Sequence, residues 1–143
     1  MGKRLIGSVG LAVAGGTPSP YTRTTSFVIA CSDETTAIDS TGTKVTFYMP
    51  FDFTVTEVRA SLTTAGTGAN LVTLDFEQNG TTILSTAITI DATELTSTTA
   101  STPPVISTSA LTDDASIDCD IDQIDSGGVS AGLKMYLIGY KTL

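Results

Sequence analysis

A chain of 143 residues is long enough for one domain with a sizeable core and too short for two. Its net charge of −8 opposes general binding to nucleic acid or to an anionic membrane surface, both of which call for a basic face. The sequence contains no histidine, which removes the usual general base and the commonest metal ligand.

Residues 1–23 read as an extended N-terminal arm. They carry Lys3, Arg4 and Arg23 and no acid, whereas the rest of the chain sets four basic against fifteen acidic residues, a net of −11. That asymmetry suits an arm that docks on something acidic, such as the body of a neighbouring subunit. Gly2, Gly7, Gly10, Gly15 and Gly16 make the segment a poor helix. Val9, Leu11 and Val13 alternate with small residues, a pattern fit for adding a strand to another sheet's edge. The expected partner-binding residues are therefore Lys3, Arg4, Leu5, Ile6, Val9, Leu11 and Val13. Leu5 to Ala14 also resembles a weak secretory signal, but Gly7 and Gly10 interrupt it, and we expect it to be retained. The run is too short to span a bilayer. Ile6 stands where a myristoylation signal needs Ser or Thr. Thr17-Pro18-Ser19-Pro20 forms a stiff, extended hinge.

Residues 24–143 read as a single domain. Threonine makes up about a fifth of the chain, and β-branched side chains fit a pleated sheet better than a helix. Ser26 to Cys31 is a short apolar run, and Ser32 to Gly42 a polar loop. Val45, Phe47 and Met49 alternate inward against Lys44, Thr46 and Tyr48, until Pro50 breaks the strand. Phe53 and Val55 open the next run, and Val58, Ala60 and Leu62 continue it in the opposite phase. That slip near Thr56-Glu57 predicts a β-bulge or a strand crossing between sheets. Val72, Leu74 and Phe76 alternate with Thr73, Asp75 and Glu77, and Asn79-Gly80 then signals a hairpin. Ile83-Leu84 and Ile88 to Ile90 carry the return. Thr93 to Thr102 is a long polar stretch closed by Pro103-Pro104. Ile117, Cys119 and Ile121 alternate with Asp118, Asp120 and Asp122. Ser126-Gly127-Gly128 turns the chain, and Leu133 to Tyr140, apolar on both faces, reads as a central strand. The expectation is an all-β chain: a single β-sandwich or jelly-roll domain of about eight antiparallel strands behind the arm.

Chemistry-bearing constellations are weak. No Ser lies in a nucleophile-elbow pattern, and Cys31 and Cys119 lack an activating partner, so they read as buried free thiols, with a cross-sheet disulfide as the alternative. The acidic run Asp113, Asp114, Asp118, Asp120, Asp122 and Asp125 is not an EF-hand loop, because Gln123 and Val129 replace its glycine and final glutamate. It reads as a solvated face or a site for a partner's basic residues, with calcium between loops or subunits as a second reading. Gly66-Thr67-Gly68 lacks the lysine of a phosphate loop. Tyr48, Tyr136 and Tyr140 could line a sugar site, but core packing or an interface fits them better. The reading is of a non-enzyme with no cofactor and no metal.

Several blocks carry a family resemblance: Phe47-Tyr-Met-Pro-Phe-Asp-Phe-Thr-Val-Thr-Glu-Val-Arg-Ala-Ser-Leu-Thr-Thr-Ala65, Asn79-Gly-Thr-Thr-Ile-Leu-Ser-Thr86, Thr89-Ile-Asp-Ala-Thr93, Ile117 to Gln123 and Gly132-Leu-Lys-Met-Tyr-Leu-Ile-Gly139. In spacing and order they resemble small β-sandwich virion proteins of tailed bacteriophages, particularly those of marine bacteria and cyanobacteria. Such modules occur in capsid decoration (cement) proteins, head fibres and tail fibres, and the family has no catalytic residues to carry over. The resemblance implies a homotrimer on the outer capsid surface whose partner is the major capsid protein. A fibre protein usually adds a shaft and an attachment domain, so a decoration protein is the expectation. A receptor- or carbohydrate-binding fibre module, or a minor tail component, is the alternative.

Overall fold

The computed structural model describes residues 23–143. Among them are eleven strands: β1 (Thr25–Ala30), β2 (Gly42–Tyr48), β3 (Phe53–Ser61), β4 (Val72–Gln78), β5 (Thr81–Thr82), β6 (Leu84–Thr86), β7 (Ile88–Ile90), β8 (Val105–Ile106), β9 (Ala110–Leu111), β10 (Ser116–Gln123) and β11 (Lys134–Lys141). All pairings are antiparallel. One sheet has the order β1-β11-β3-β9. The other runs β2-β10-β4-β5, with β7 also pairing with β4, and β6 and β8 form a separate short ribbon. The six long strands match the periodic runs of the sequence. The five strands β5 to β9 have three residues or fewer each, so about eight becomes eleven by the addition of fragments.

Both large sheets turn their apolar alternation toward one core. Val55, Val58, Met135 and Leu137 face it from the first sheet, and Leu74, Phe76, Ile117 and Ile121 from the second. Each is at most 3% exposed, which marks a dry interface compatible with a β-sandwich. Phe27 of β1 packs near Phe47 of β2 (6.2 Å between centroids) and edge-on against Phe53 of β3 (5.2 Å). β1 and β2 therefore lie one above the other at the same open side of the molecule.

The phase slip in β3 is a bulge. Glu57 pairs with Ile138 and Val55 with Gly139, leaving Thr56 as the extra residue. Here the backbones crowd: a Cβ on Gly139 would lie 1.9 Å from the Thr54 carbonyl oxygen. Asn79 and Gly80 form the two-residue hairpin turn between β4 and β5, both at positive φ (51° and 79°). That is the twist a tight hairpin requires.

Three expectations need adjustment. Gly42 belongs to β2 rather than to the loop before it, and Ile38 from that loop is buried in the core. β11 is central, between β1 and β3, but Tyr136, Ile138 and Tyr140 on its outer face are only half-buried, as an antiparallel sheet with one wet face allows. The polar stretch 93–102 is tied down. Ser97 is buried, and its hydroxyl accepts the Ala60 backbone N–H at 2.9 Å.

Candidate functional site

The acidic alternation of β10 becomes a two-dimensional feature because β10 lies between β2 and β4. On the outer face Asp118 stands opposite Glu77, and Asp120 opposite Asp75, with Asp122 one step beyond. Like charges placed directly opposite each other on neighbouring strands repel. Burial acts on three of these carboxyls in the same direction as that repulsion. Burial, then the approach of Asp120, hold the Asp75 carboxyl above its ordinary range, against the pull of hydrogen bonds from the Thr82 hydroxyl (2.7 Å) and the Phe76 N–H. Glu77 is also raised, by burial and then by Asp120 and Asp75. Asp122 is raised by burial and by Asp75 and Asp120. One oxygen of Asp120 is shielded from solvent and has no hydrogen-bond partner.

The cations of the body are engaged elsewhere. Arg59 pairs with Glu57 at 2.5 Å, and Lys134 pairs with Glu34. Lys141 sits over the Phe51 ring (5.2 Å), and Lys44 donates to Ser40 (3.0 Å). Among the described residues no basic side chain forms an ion pair with Asp75, Glu77, Asp118, Asp120 or Asp122. Nor do any three His, Cys, Asp or Glu side chains there converge as a metal site.

The acidic run read from the sequence thus divides into parts with different roles. Asp113 and Asp114 lie in the exposed turn before β10. Asp125 is 2% exposed and organises a loop. Its carboxylate accepts the N–H groups of Thr67 (3.1 Å), Val129 (3.3 Å) and Ser130 (3.3 Å) and the Ser130 hydroxyl (2.5 Å). Burial alone would raise this carboxyl, but the four donors together hold it below the ordinary range. Asp75 and Glu77 join the face although they are distant in sequence. Only the pairing of β4 with β10 brings them there.

Beside the acidic face lies an apolar seam. Among the described residues β1 and β2 are both edge strands, with no strand paired to their outer sides. Between them Phe27, Ile29, Val45, Phe47 and Phe51 pack on the core yet stay partly exposed. Val28 and Tyr48 on the outer faces of the same two edges are 58% and 65% exposed.

Other candidate residues do not gather. Tyr48 projects from β2 in one sheet and Tyr136 and Tyr140 from β11 in the other, so they form no common sugar platform. Tyr136 instead shares a hydrogen bond with Ser61 (2.9 Å). Cys31 and Cys119 are buried free thiols. Hydrogen bonding to Cys31, with burial, pushes the Cys119 thiol up, away from the nucleophilic thiolate. An open groove of about 620 Å³ is lined by Glu57, Arg59, Ser97, Pro103 and Pro104, but its charged pair is satisfied internally. Among the described residues no helix is long and apolar enough to cross a membrane. Lys3, Arg4, Leu5, Ile6, Val9, Leu11 and Val13 lie outside the described residues.

Compared with known protein families, curated proteins and solved structures, the chain finds no match.

Proposed function

We propose that this chain is a structural protein of a tailed-phage particle, a capsid decoration protein that binds the outer head surface and reinforces the lattice. The observation that carries the reading is the strand order. β1-β11-β3-β9 facing β2-β10-β4, with β5 and β7 both paired to β4 and the chain alternating between sheets from β1 to β4, is compatible with the order of a jelly roll. That architecture recurs in capsid and lectin domains. The family resemblance of the blocks around Phe47–Ala65 and Gly132–Gly139 points the same way. The acidic face and the seam beside it are surfaces for assembly rather than for turnover.

The mechanism is mechanical. Each subunit, arranged as a homotrimer, buries surface across seams between major capsid proteins. Binding only the assembled lattice stabilises it by mass action against the outward pressure of packaged DNA. A trimer also covers sheet edges that a Thr- and Val-rich monomer leaves open. The basic arm adds contact surface to the partner. Deleting residues 2–16 weakens occupancy on purified capsids while the melting temperature of the body stays unchanged. Undiminished occupancy would refute the role of the arm. Failure of the full chain to bind capsids at all would refute the decoration role.

A further inference from the structure

The chain has two cysteines, and the fold brings them together from opposite sheets. Cys31 follows directly on β1, where its N–H donates to the Leu133 carbonyl (2.8 Å). Cys119 sits in the middle of β10, between Val45 of β2 and Phe76 of β4. Both side chains belong to the one apolar core, at 6% and 0% exposure, and they meet there in a hydrogen bond. Their surroundings differ. A cavity of about 220 Å³ opens from the surface onto Cys31, and Asp33, Asp39 and Lys44 give it a polar lining. Hydrogen bonding from Cys119, opposed by burial and aided by the Met135 N–H, holds the Cys31 thiol below its ordinary range. The same bond, with burial, pushes the Cys119 thiol up, so that it keeps its proton. The pair is therefore ordered: a nucleophile at a cavity, backed by a protonated second thiol.

We propose that Cys31 and Cys119 are a latent cross-sheet disulfide, closed by hydrogen peroxide that reaches Cys31 through this cavity. The Cys31 thiolate attacks one peroxide oxygen and the O–O bond breaks, leaving a sulfenic acid on Cys31. The departing hydroxide takes up the proton that Cys31 has shed. The Cys119 sulfur then attacks the Cys31 sulfur, and its proton leaves with the displaced hydroxyl as a second water. Each sulfur gives up one electron, and the peroxide oxygens accept both. Sulfurs already in hydrogen-bond contact have little further to travel to the roughly 2 Å of a disulfide. The bond staples the end of edge strand β1, which among the described residues pairs with β11 alone, to a central strand of the other sheet. It also closes a loop that spans most of the body, which removes entropy from the unfolded chain. In a reducing compartment the thiols stay free, and an oxidising one closes the staple.

The test uses the reduced full chain and hydrogen peroxide. The product should carry an intramolecular disulfide and be lighter by two hydrogens. The peptides of Cys31 and Cys119 should be joined in the map, with no thiol left to alkylate after unfolding. The melting temperature should rise by about 10 °C and return on addition of dithiothreitol. Cys119→Ser should halt at the sulfenic acid, trapped on Cys31 by dimedone, whereas Cys31→Ser should leave Cys119 unoxidised under the same conditions. The rate in the wild type should be flat in urea below the unfolding transition, because the oxidant enters through the native cavity. Oxidation of the wild type to sulfinic acid, disulfides between chains, an intact pair of thiols after exposure, or dimedone on Cys119 rather than Cys31 would each overturn the proposal. So would a rate that climbs steeply with urea, since the thiols would then react only through unfolding. None of these readings involves capsids, so the decoration reading is decided separately.

Discussion

Asp120→Asn should stabilise the protein at neutral pH, which is an unusual outcome for a change in a central strand. Asp120 faces Asp75 across the β10–β4 ladder, with Glu77 beside it. Asp118 and Asp122 flank it two residues away on the same strand, at about 7 Å. A directly opposed like-charged pair costs up to about 1 kcal/mol, and flanking charges in a mostly aqueous setting add a few tenths each. Removing one charge while keeping the shape should therefore gain about 1–2 kcal/mol, or roughly 4–6 °C in melting temperature for a domain of this size. The pH dependence follows from the raised carboxyls of Asp75, Glu77 and Asp122. A carboxyl raised in the folded state penalises folding fully above its folded pKa, and the penalty disappears below the unfolded value. Acidification through that window relieves the wild type, so the advantage of the variant should shrink toward pH 4. High salt should shrink it too. Calorimetric melts of both proteins at neutral and acidic pH, at low and high salt, provide the measurement. A variant destabilised at neutral pH would refute the argument, since the carboxylate would then be satisfied rather than strained.

Asp125 should behave with the opposite sign. Asp125→Asn keeps the size but leaves at least one backbone donor facing an amide, at a cost of about 2 kcal/mol by denaturant unfolding. Because the folded pKa of Asp125 is lowered, its contribution is present above the ordinary carboxylate range and is lost as pH falls through the folded value. The penalty of the variant should therefore fade in acid. Gly139→Ala forces a methyl group against the Thr54 carbonyl at the bulge and should cost about 3 kcal/mol or more, read as a lowered denaturation midpoint. Gly80→Ala meets no neighbouring atom, so its cost is conformational only, about 1 kcal/mol from the left-handed φ of 79°. Equal losses at Gly80 and Gly139 would contradict that distinction. Cys31 and Cys119 should resist a maleimide in the native state and react on unfolding; rapid native labelling would contradict their burial.

The legible parts of the fold were those that a local pattern encodes. The phase change between Val55 and Val58 announced the bulge, because a period of two cannot change face without an extra residue. Asn79-Gly80 announced its hairpin, because few residue pairs tolerate two positive φ angles in a row. The fragments β8 and β9 were illegible, since two residues cannot display a period, whereas β6 and β7 fall on the apolar return read at Ile83-Leu84 and Ile88 to Ile90. Ser97 gave no signal either, being one hydroxyl in a run of them until its contact with Ala60 buries it. The acidic face was half legible. Asp118, Asp120 and Asp122 announced themselves on β10, and Asp75 and Glu77 were visible as outward residues of β4. What the sequence pattern lacks is strand adjacency, which is a tertiary property. The same absence made Asp125 look like part of the cluster, although it is a buried loop organiser.

The central claim, decoration of a phage head, is tested most directly by a cryo-electron microscopy reconstruction of the phage particle with the density of this chain located. The account predicts regular density repeated over the outer capsid lattice, with the two-sheet body at seams between major capsid subunits. Density confined to the tail or to fibre ends, with a bare capsid lattice, would contradict it.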